Sequence, residues 1–188
     1  VEVALGSGLR VNEVLGLRHA DVDLDAGTIA VTGELVHRPV VGIVREEYLK
    51  ASGQERIVEL PSFAVTALTE SRSRCLTVTS RLPDAPAIPS EAGTWMSGHN
   101  IRRALRSLKT DAAWVSALAE TGLQPSDVTP HALRRTTSTL LAIAEGNDEA
   151  AQRLLGHASP STTRRKYITR AYRRVGAPGV LDALLGGE

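Results

Sequence analysis

Residues 40–61 read VVGIVREEYLKASGQERIVELP. Val, Ile and Tyr recur in two short runs on either side of the polar tip Ala51 to Glu55, and β-branched or aromatic runs flanking a polar turn predict two strands. Upstream, DVDLDAGTIAVTGELV (21–36) alternates around Asp25-Ala26-Gly27, which is the pattern of a hairpin or of a strand leaving a tight turn. Together these stretches predict a small antiparallel sheet of about three strands near the N-terminus.

The remaining segments read as helices. In ALGSGLRVNEVLGLR (4–18), Leu9, Val11, Val14, Leu15 and Leu17 fall at helical spacing after a Gly-rich turn. SFAVTALTESRSR (62–74) starts a helix with Ser62 as its N-cap. Residues 79–99, rich in Pro, Ser and Gly, form a long connection, and NIRRALRSLKTDAAWVSALAETG (100–122) is one long helix or two shorter ones. Pro130 opens HALRRTTSTLLAIAEG, which stops at Gly146. NDEAAQRLLG follows with Asn147 or Asp148 as N-cap, SPSTTRRKYITRAYRR (159–174) runs into a basic helix, and VLDALLG (180–186) closes the chain. The predicted class is α+β, mainly α-helical with a small three-stranded antiparallel sheet near the N-terminus.

Composition narrows the function. At 188 residues the chain suits one domain with a real core, and 42% hydrophobic with 23% charged residues is ordinary for a globular protein. With one Phe, two Trp and three Tyr, the core must be aliphatic and each tyrosine carries more information than usual. A single cysteine, Cys75, excludes an internal disulfide framework and a cysteine-rich metal site. No apolar run approaches the roughly 20 residues of a membrane helix and no signal segment opens the chain, so a cytoplasmic protein is expected. The net charge is +1, but residues 1–97 hold 9 Lys+Arg against 13 Asp+Glu (−4) and residues 98–188 hold 13 against 8 (+5). That asymmetry turns the second half toward a polyanion.

One stretch asks for chemistry. In RLLGHASPSTTRRKY (153–167), a helix ends at Gly156, a histidine follows, and a tyrosine is presented behind three consecutive cations. Taken alone, His157 reads as a structural histidine and Tyr167 as a half-buried packing residue. Metal-free chemistry on a phosphodiester, however, needs cations around the phosphate, a nucleophile, and proton donors and acceptors for the attacking and leaving oxygens. Arg10 follows a Gly-Ser-Gly turn at a helix start, and His131 and Arg134 lie three apart on one helical face. No HExxH, paired Cys, GxGxxG, GxxxxGK[ST] or GxSxG is present to support zinc hydrolysis, nucleotide binding or a serine hydrolase.

GLRVNEVLGLRHADVDL, LKASGQERIVELP, TPHALRRT and LLGHASPSTTRRKY resemble the four ordered motif blocks of the tyrosine recombinases, the phage integrase family, and cover nearly the whole chain. The resemblance implies a site-specific DNA recombinase that cleaves and rejoins strands through a 3′-phosphotyrosyl intermediate. Carried over position by position, the family's two arginines fall on Arg10 and Arg134, its hairpin lysine on Lys50, the histidine of its H-x-x-R block on His131, its histidine or tryptophan on His157 and its nucleophile on Tyr167. Ala51 and Ala132 stand where the family often has Thr and an acidic residue. Ten positions separate His157 from Tyr167, and the rival Tyr172 lies at fifteen. Tyr48, two residues before Lys50, is expected to pack.

In this reading Arg10 and Arg134 grip the non-bridging oxygens, His157 adds a hydrogen bond, His131 is general base toward Tyr167 and Lys50 protonates the departing 5′ oxygen. Arg164, Arg165 and Lys166 track the DNA backbone. The resemblance implies no metal and no cofactor, double-stranded DNA as partner, no membrane, and a homotetramer on DNA during strand exchange from a monomer when free. Because the chain opens without Met inside an amphipathic stretch, residues 1–188 are expected to be a catalytic domain truncated at its N-terminus, with an upstream core DNA-binding domain outside it. Two other readings stand beside this one: a type IB topoisomerase-like enzyme, and a DNA-binding remnant of a mobile element that has lost catalysis.

Overall fold

The computed structural model describes residues 1–48, 55–74, 82–145, 174–175 and 178–185. Helix α1 (Glu2–Ser7) ends at Gly8, whose φ of 63° is the left-handed conformation that closes a helix, with its N–H donating to the Ala4 carbonyl. This is the Gly-Ser-Gly turn, and it delivers Arg10 as the N-cap of α2 (Val11–Leu15). The helix expected through Leu17 is thus only five residues long and stops at Gly16.

Strands β1 (Val22–Asp23), β2 (Thr28–Val31), β3 (Gly33–Arg38), β4 (Gly42–Glu47) and β5 (Arg56–Glu59) follow. The turn Asp25-Ala26-Gly27 joins β1 to β2, as the alternation around it requires, with Val22 opposite Ile29. Residues 40–61 do contain two strands, but β4 and β5 are not partners. The chain leaves the main sheet at Thr32, so β3 pairs with β4 over six register positions from Gly33–Glu47 to Arg38–Gly42, while β5 returns to β2. Two local causes favour this arrangement. The reversal at Pro39–Val41 is short enough to pair its own flanks, and at Gly33 a side chain would meet the Glu46 carbonyl oxygen at 2.3 Å, so only glycine lets the strands approach there.

β6 (Arg174–Val175) joins the edge of β5 in parallel, giving the sheet order β1-β2-β5-β6 with three antiparallel strands and one short parallel one. The basic helix read over 159–174 therefore does not reach Arg174.

Arg45 fastens the β3–β4 hairpin to the body. Its Nε donates to the Gly16 carbonyl at 2.6 Å and its Nη2 to Thr32 Oγ1 at 2.6 Å and Asp21 at 3.3 Å. Arg18 reaches the same Asp21 from the other side at 3.0 Å.

Helix α3 (Ser62–Ser73) begins one residue earlier than Ser62 as N-cap would require: Pro61 is the cap, and Ser62 donates both N–H and O–H to Asp182 at 2.7 Å. A carboxylate on a distant helix takes over the capping role, which no local pattern encodes. The stretch 100–122 resolves into α4 (Gly98–Ser107) and α5 (Ala112–Glu120), because Asp111 accepts the Trp114 N–H and starts a new helix. Helix α6 (Pro130–Glu145) starts at its proline, and α7 (Pro178–Leu185) closes the described chain. The stop at Gly146 and the helix starting at Asn147 or Asp148 lie outside the described residues.

The core is aliphatic: Leu9, Val14 and Leu17 meet Ile29, Val31 and Val58 of the sheet, with Leu68, Leu141 and Leu181 closing it from α3, α6 and α7. Burial of each such side chain contributes about 1.5–3 kcal/mol. Helix α6 crosses α1, where Thr137 donates to the Leu5 carbonyl, and this contact brings the H-x-x-R segment over the Gly8 turn.

Candidate functional site

The first turn of α6 carries exposed His131, and Arg134 lies one turn on, only 6% exposed. The Arg134 Nη1 donates to the Gly8 carbonyl at 2.7 Å, so the second arginine of the sequence pattern is tied to the turn that presents the first. Arg10 keeps its side chain 47% exposed. Beneath both lies Glu13, fully buried and absent from the sequence-derived site.

Glu13 is the hub of this arrangement. It accepts the Arg10 backbone N–H at 2.8 Å, Arg10 Nη1 at 3.3 Å, the Tyr48 hydroxyl at 2.9 Å and Arg56 Nη2 at 3.2 and 3.1 Å. Arg134 Nη1 stands 3.9 Å from its Oε2. Burial alone would raise its pKa. The Arg56 charge, the Arg10 N–H and the hydrogen bonds from Arg56 and Tyr48 outweigh that, and Glu13 is held below the usual carboxylate range. Arg134 is pushed down to about 10, first by burial and further by Arg10 and Arg56, with Glu13 opposing. It is still a cation near neutral pH. Burial and the Glu13 charge push the Tyr48 phenol up, so it remains a donor.

Arg10, His131 and Arg134 line one cavity of about 600 Å³ together with Arg102, Arg106 and Lys109. The last three lie at i, i+4 and i+7 across α4 and the turn that follows it, on one helical face, and are exposed. Among the described residues, no carboxylate forms an ion pair with any of them. A cleft walled by guanidinium and ammonium groups, with an imidazole at its rim, suits an anion such as a phosphodiester, whose negative charge grows in a pentacovalent transition state. Also among the described residues, no group of three or more His, Cys, Asp or Glu side chains is arranged to hold a metal, and no helix is long and apolar enough to cross a membrane.

Three of the six sequence-derived catalytic candidates are therefore brought together. Lys50, His157 and Tyr167, the cations Arg164, Arg165 and Lys166, and the rival Tyr172 lie outside the described residues. Sequence reasoning missed Glu13, Tyr48 as a donor, Arg56, and the α4 cations. For Glu13 the signal was available: an acidic residue at the third helical position accepts the N-cap N–H, and this one sits on a face otherwise lined by Leu9, Val14 and Leu17.

The model of the Phage integrase family matches residues 1–174, and the chain belongs to that family. It is 35% identical over 159 residues to the tyrosine recombinase XerC of Methylobacterium sp. (strain 4-46), covering 84% of this chain and 41% of that protein. It is 30% identical over 162 residues to the tyrosine recombinase XerA of Thermococcus kodakarensis, covering 84% and 45%. The chain thus spans less than half the length of these relatives. Among solved structures, the Tn1549 transposon integrase in complex with circular intermediate DNA superposes with a TM-score of 0.67 at 24% identity, over 84% of this chain and 50% of that one. The XerA recombinase crystal structure superposes at 0.57 and 26% identity, over 85% and 46%. These likenesses establish the fold: a mainly helical domain with small antiparallel sheets.

Proposed function

We propose that this domain is the catalytic part of a site-specific recombinase that cleaves and rejoins DNA strands through a 3′-phosphotyrosyl intermediate. One observation carries the reading: Arg10 and Arg134, far apart in sequence, line one cationic cleft and are held by the same buried carboxylate. Two guanidinium forks fixed in advance can meet the charge that develops on the non-bridging oxygens of a pentacovalent phosphate.

In this mechanism Tyr167 attacks the phosphorus and its phenolic proton passes to His131. Lys50 protonates the 5′ oxygen as the bond to it breaks, and His157 donates a hydrogen bond to the phosphate. The products are a 3′-phosphotyrosyl link and a free 5′ hydroxyl. Attack by the 5′ hydroxyl of another strand reverses the step, so the bond energy is retained and no nucleotide is consumed. Arg164, Arg165 and Lys166 contact the DNA backbone, and Arg102, Arg106 and Lys109 extend that contact along α4 and the turn after it. Strand exchange requires four such active sites on two duplexes, hence a homotetramer on DNA. A second DNA-binding domain upstream of residue 1 would complete the grip on the duplex.

The test uses two duplexes carrying the genomic junction sequence of the host element, incubated with the full-length protein. Recombinant duplexes are the expected product. Relaxation of supercoiled plasmid with no strand exchange would instead assign a topoisomerase, and binding without any covalent species would assign an inactive DNA-binding remnant.

A further inference from the structure

Helix α1 stops early, and α6 takes up carbonyls at its end. The left-handed turn at Gly8 closes α1, so the Leu9 N–H donates to Ser7 Oγ at 3.3 Å instead of continuing the ladder to the Leu5 carbonyl. Thr137, wholly buried, donates its hydroxyl to that Leu5 carbonyl, and Arg134 donates to the Gly8 carbonyl at 2.7 Å. The two donors stand at i and i+3 on one face of α6, and the two acceptors stand at i and i+3 at the end of α1. Matched spacings make a clamp with two points, where either bond alone would leave a pivot. We infer that Thr137 is a positioning residue, which fixes α6 on the Gly8 turn and so sets Arg134 and His131 against Arg10.

The inference rests on the proposed recombinase mechanism, in which Arg10 and Arg134 meet the charge on the non-bridging oxygens. Arg134 lines the cleft and answers to the phosphate, whereas Thr137 lies outside the cavity lining and anchors the helix without touching the substrate. A threonine inside a helix ordinarily satisfies its hydroxyl on its own preceding turn, and Thr137 Oγ1 does stand 3.1 Å from the Leu133 carbonyl. That bond would suffice for burial. The tie to Leu5 joins residues 132 positions apart and contributes nothing to α6 by itself, so its effect is on how the two helices sit.

The experiment uses the full-length protein and nicked suicide duplexes that carry either the natural scissile phosphodiester or a methylphosphonate there. In the latter a methyl group replaces one non-bridging oxygen and removes the charge that the arginines balance. Thr137→Val keeps the branched shape without the donor, Thr137→Ala removes both, and Thr137→Ser keeps the donor. Melting curves establish that each variant is folded at the assay temperature, and Thr137→Ala carries the comparison where the valine is not tolerated. Loss of the hydroxyl should slow covalent-complex formation on the phosphodiester roughly 10- to 100-fold, the cost of a small misplacement of a reacting group. Duplex affinity should stay unchanged, and Thr137→Ser should remain close to the wild-type rate. On the methylphosphonate, the ratio of variant to wild-type rate should approach unity. Thr137→Val should also add little to Arg134→Ala, because the two act through one group. Equal slowing on both substrates, full additivity with Arg134→Ala, or no slowing at all would overturn the inference and leave the recombinase reading standing. A wild-type protein that forms no covalent species on the phosphodiester would overturn that reading and the inference with it.

Discussion

The Arg134 guanidinium lies 3.9 Å from the Glu13 carboxylate and donates to the Gly8 carbonyl at 2.7 Å, so a helix from the second half of the chain is locked to the turn that presents Arg10. Both contacts use one edge of the guanidinium, a planar group with five donors, and Arg134 also lines the cationic cleft. Arg134→Lys keeps the charge but loses this fork. Cleavage of a suicide duplex should fall by about 10² to 10³, the typical cost of one transition-state donor. DNA affinity in a filter-binding or anisotropy assay should barely change. Wild-type cleavage by Arg134→Lys would remove the bidentate role.

Glu13 sets the stability of the same assembly. Replacing it with Gln leaves Arg56 buried against a neutral amide, which should cost about 3–5 kcal/mol in chemical denaturation. The pH dependence follows from the direction of its shift. A carboxyl whose folded pKa is depressed stabilises fully above its unfolded value of about 4.3 and loses that contribution as pH falls through the folded pKa. The groups facing it are Arg10, Arg56, Arg134, Tyr48 and Glu34, and Glu34 is raised by burial and by Glu13 and acts in the opposite sense. The readout is therefore the difference between wild type and Glu13→Gln: constant above about pH 5 and shrinking below it. A difference that stays flat to low pH would show that folding does not lower the Glu13 pKa, and one that moves in the opposite sense would show that it is raised.

The α4 cations should behave as phosphate contacts. Each of Arg102→Ala, Arg106→Ala and Lys109→Ala should weaken binding to all duplex sequences alike and reduce the slope of log affinity against log salt by roughly 0.9. A substitution that changes sequence preference with an unchanged slope would place that side chain on a base edge instead.

Chelation should leave covalent-complex formation unchanged, because the guanidinium groups supply the charge the phosphate needs. Strict dependence of cleavage on added Mg²⁺ would contradict the mechanism.

What the sequence made legible follows physical range. The start of α6 at Pro130, the turn at Asp25–Gly27 and the grouping of His131 with Arg134 are written in neighbouring residues, and those readings agree with the structure. Strand pairing is not local. Nothing in residues 40–61 says that β5 will choose β2 over β4, because that choice depends on the burial of Ile29 and Val31 against Val58 and on the close approach allowed by Gly33. Ser62 failed as a cap for the same reason, since its partner Asp182 arrives from the far end of the chain. Within the site, the arginines stood out because charge near a turn is conspicuous. Arg56 did not, because it looks like an ordinary strand-end charge until Glu13 is seen beside it, both buried, whereas the capping position of Glu13 was readable and its burial was not.

The identity of the nucleophile is the most direct measure of the account. The full-length protein, trapped on a nicked suicide duplex and digested, should yield a single nucleotide-linked peptide containing Tyr167, with the 3′ phosphate attached and a free 5′ hydroxyl on the other fragment. Tyr167→Phe should give no covalent species while binding the duplex with nearly unchanged affinity. An adduct mapped to Tyr172, or a covalent species that survives in Tyr167→Phe, would contradict it.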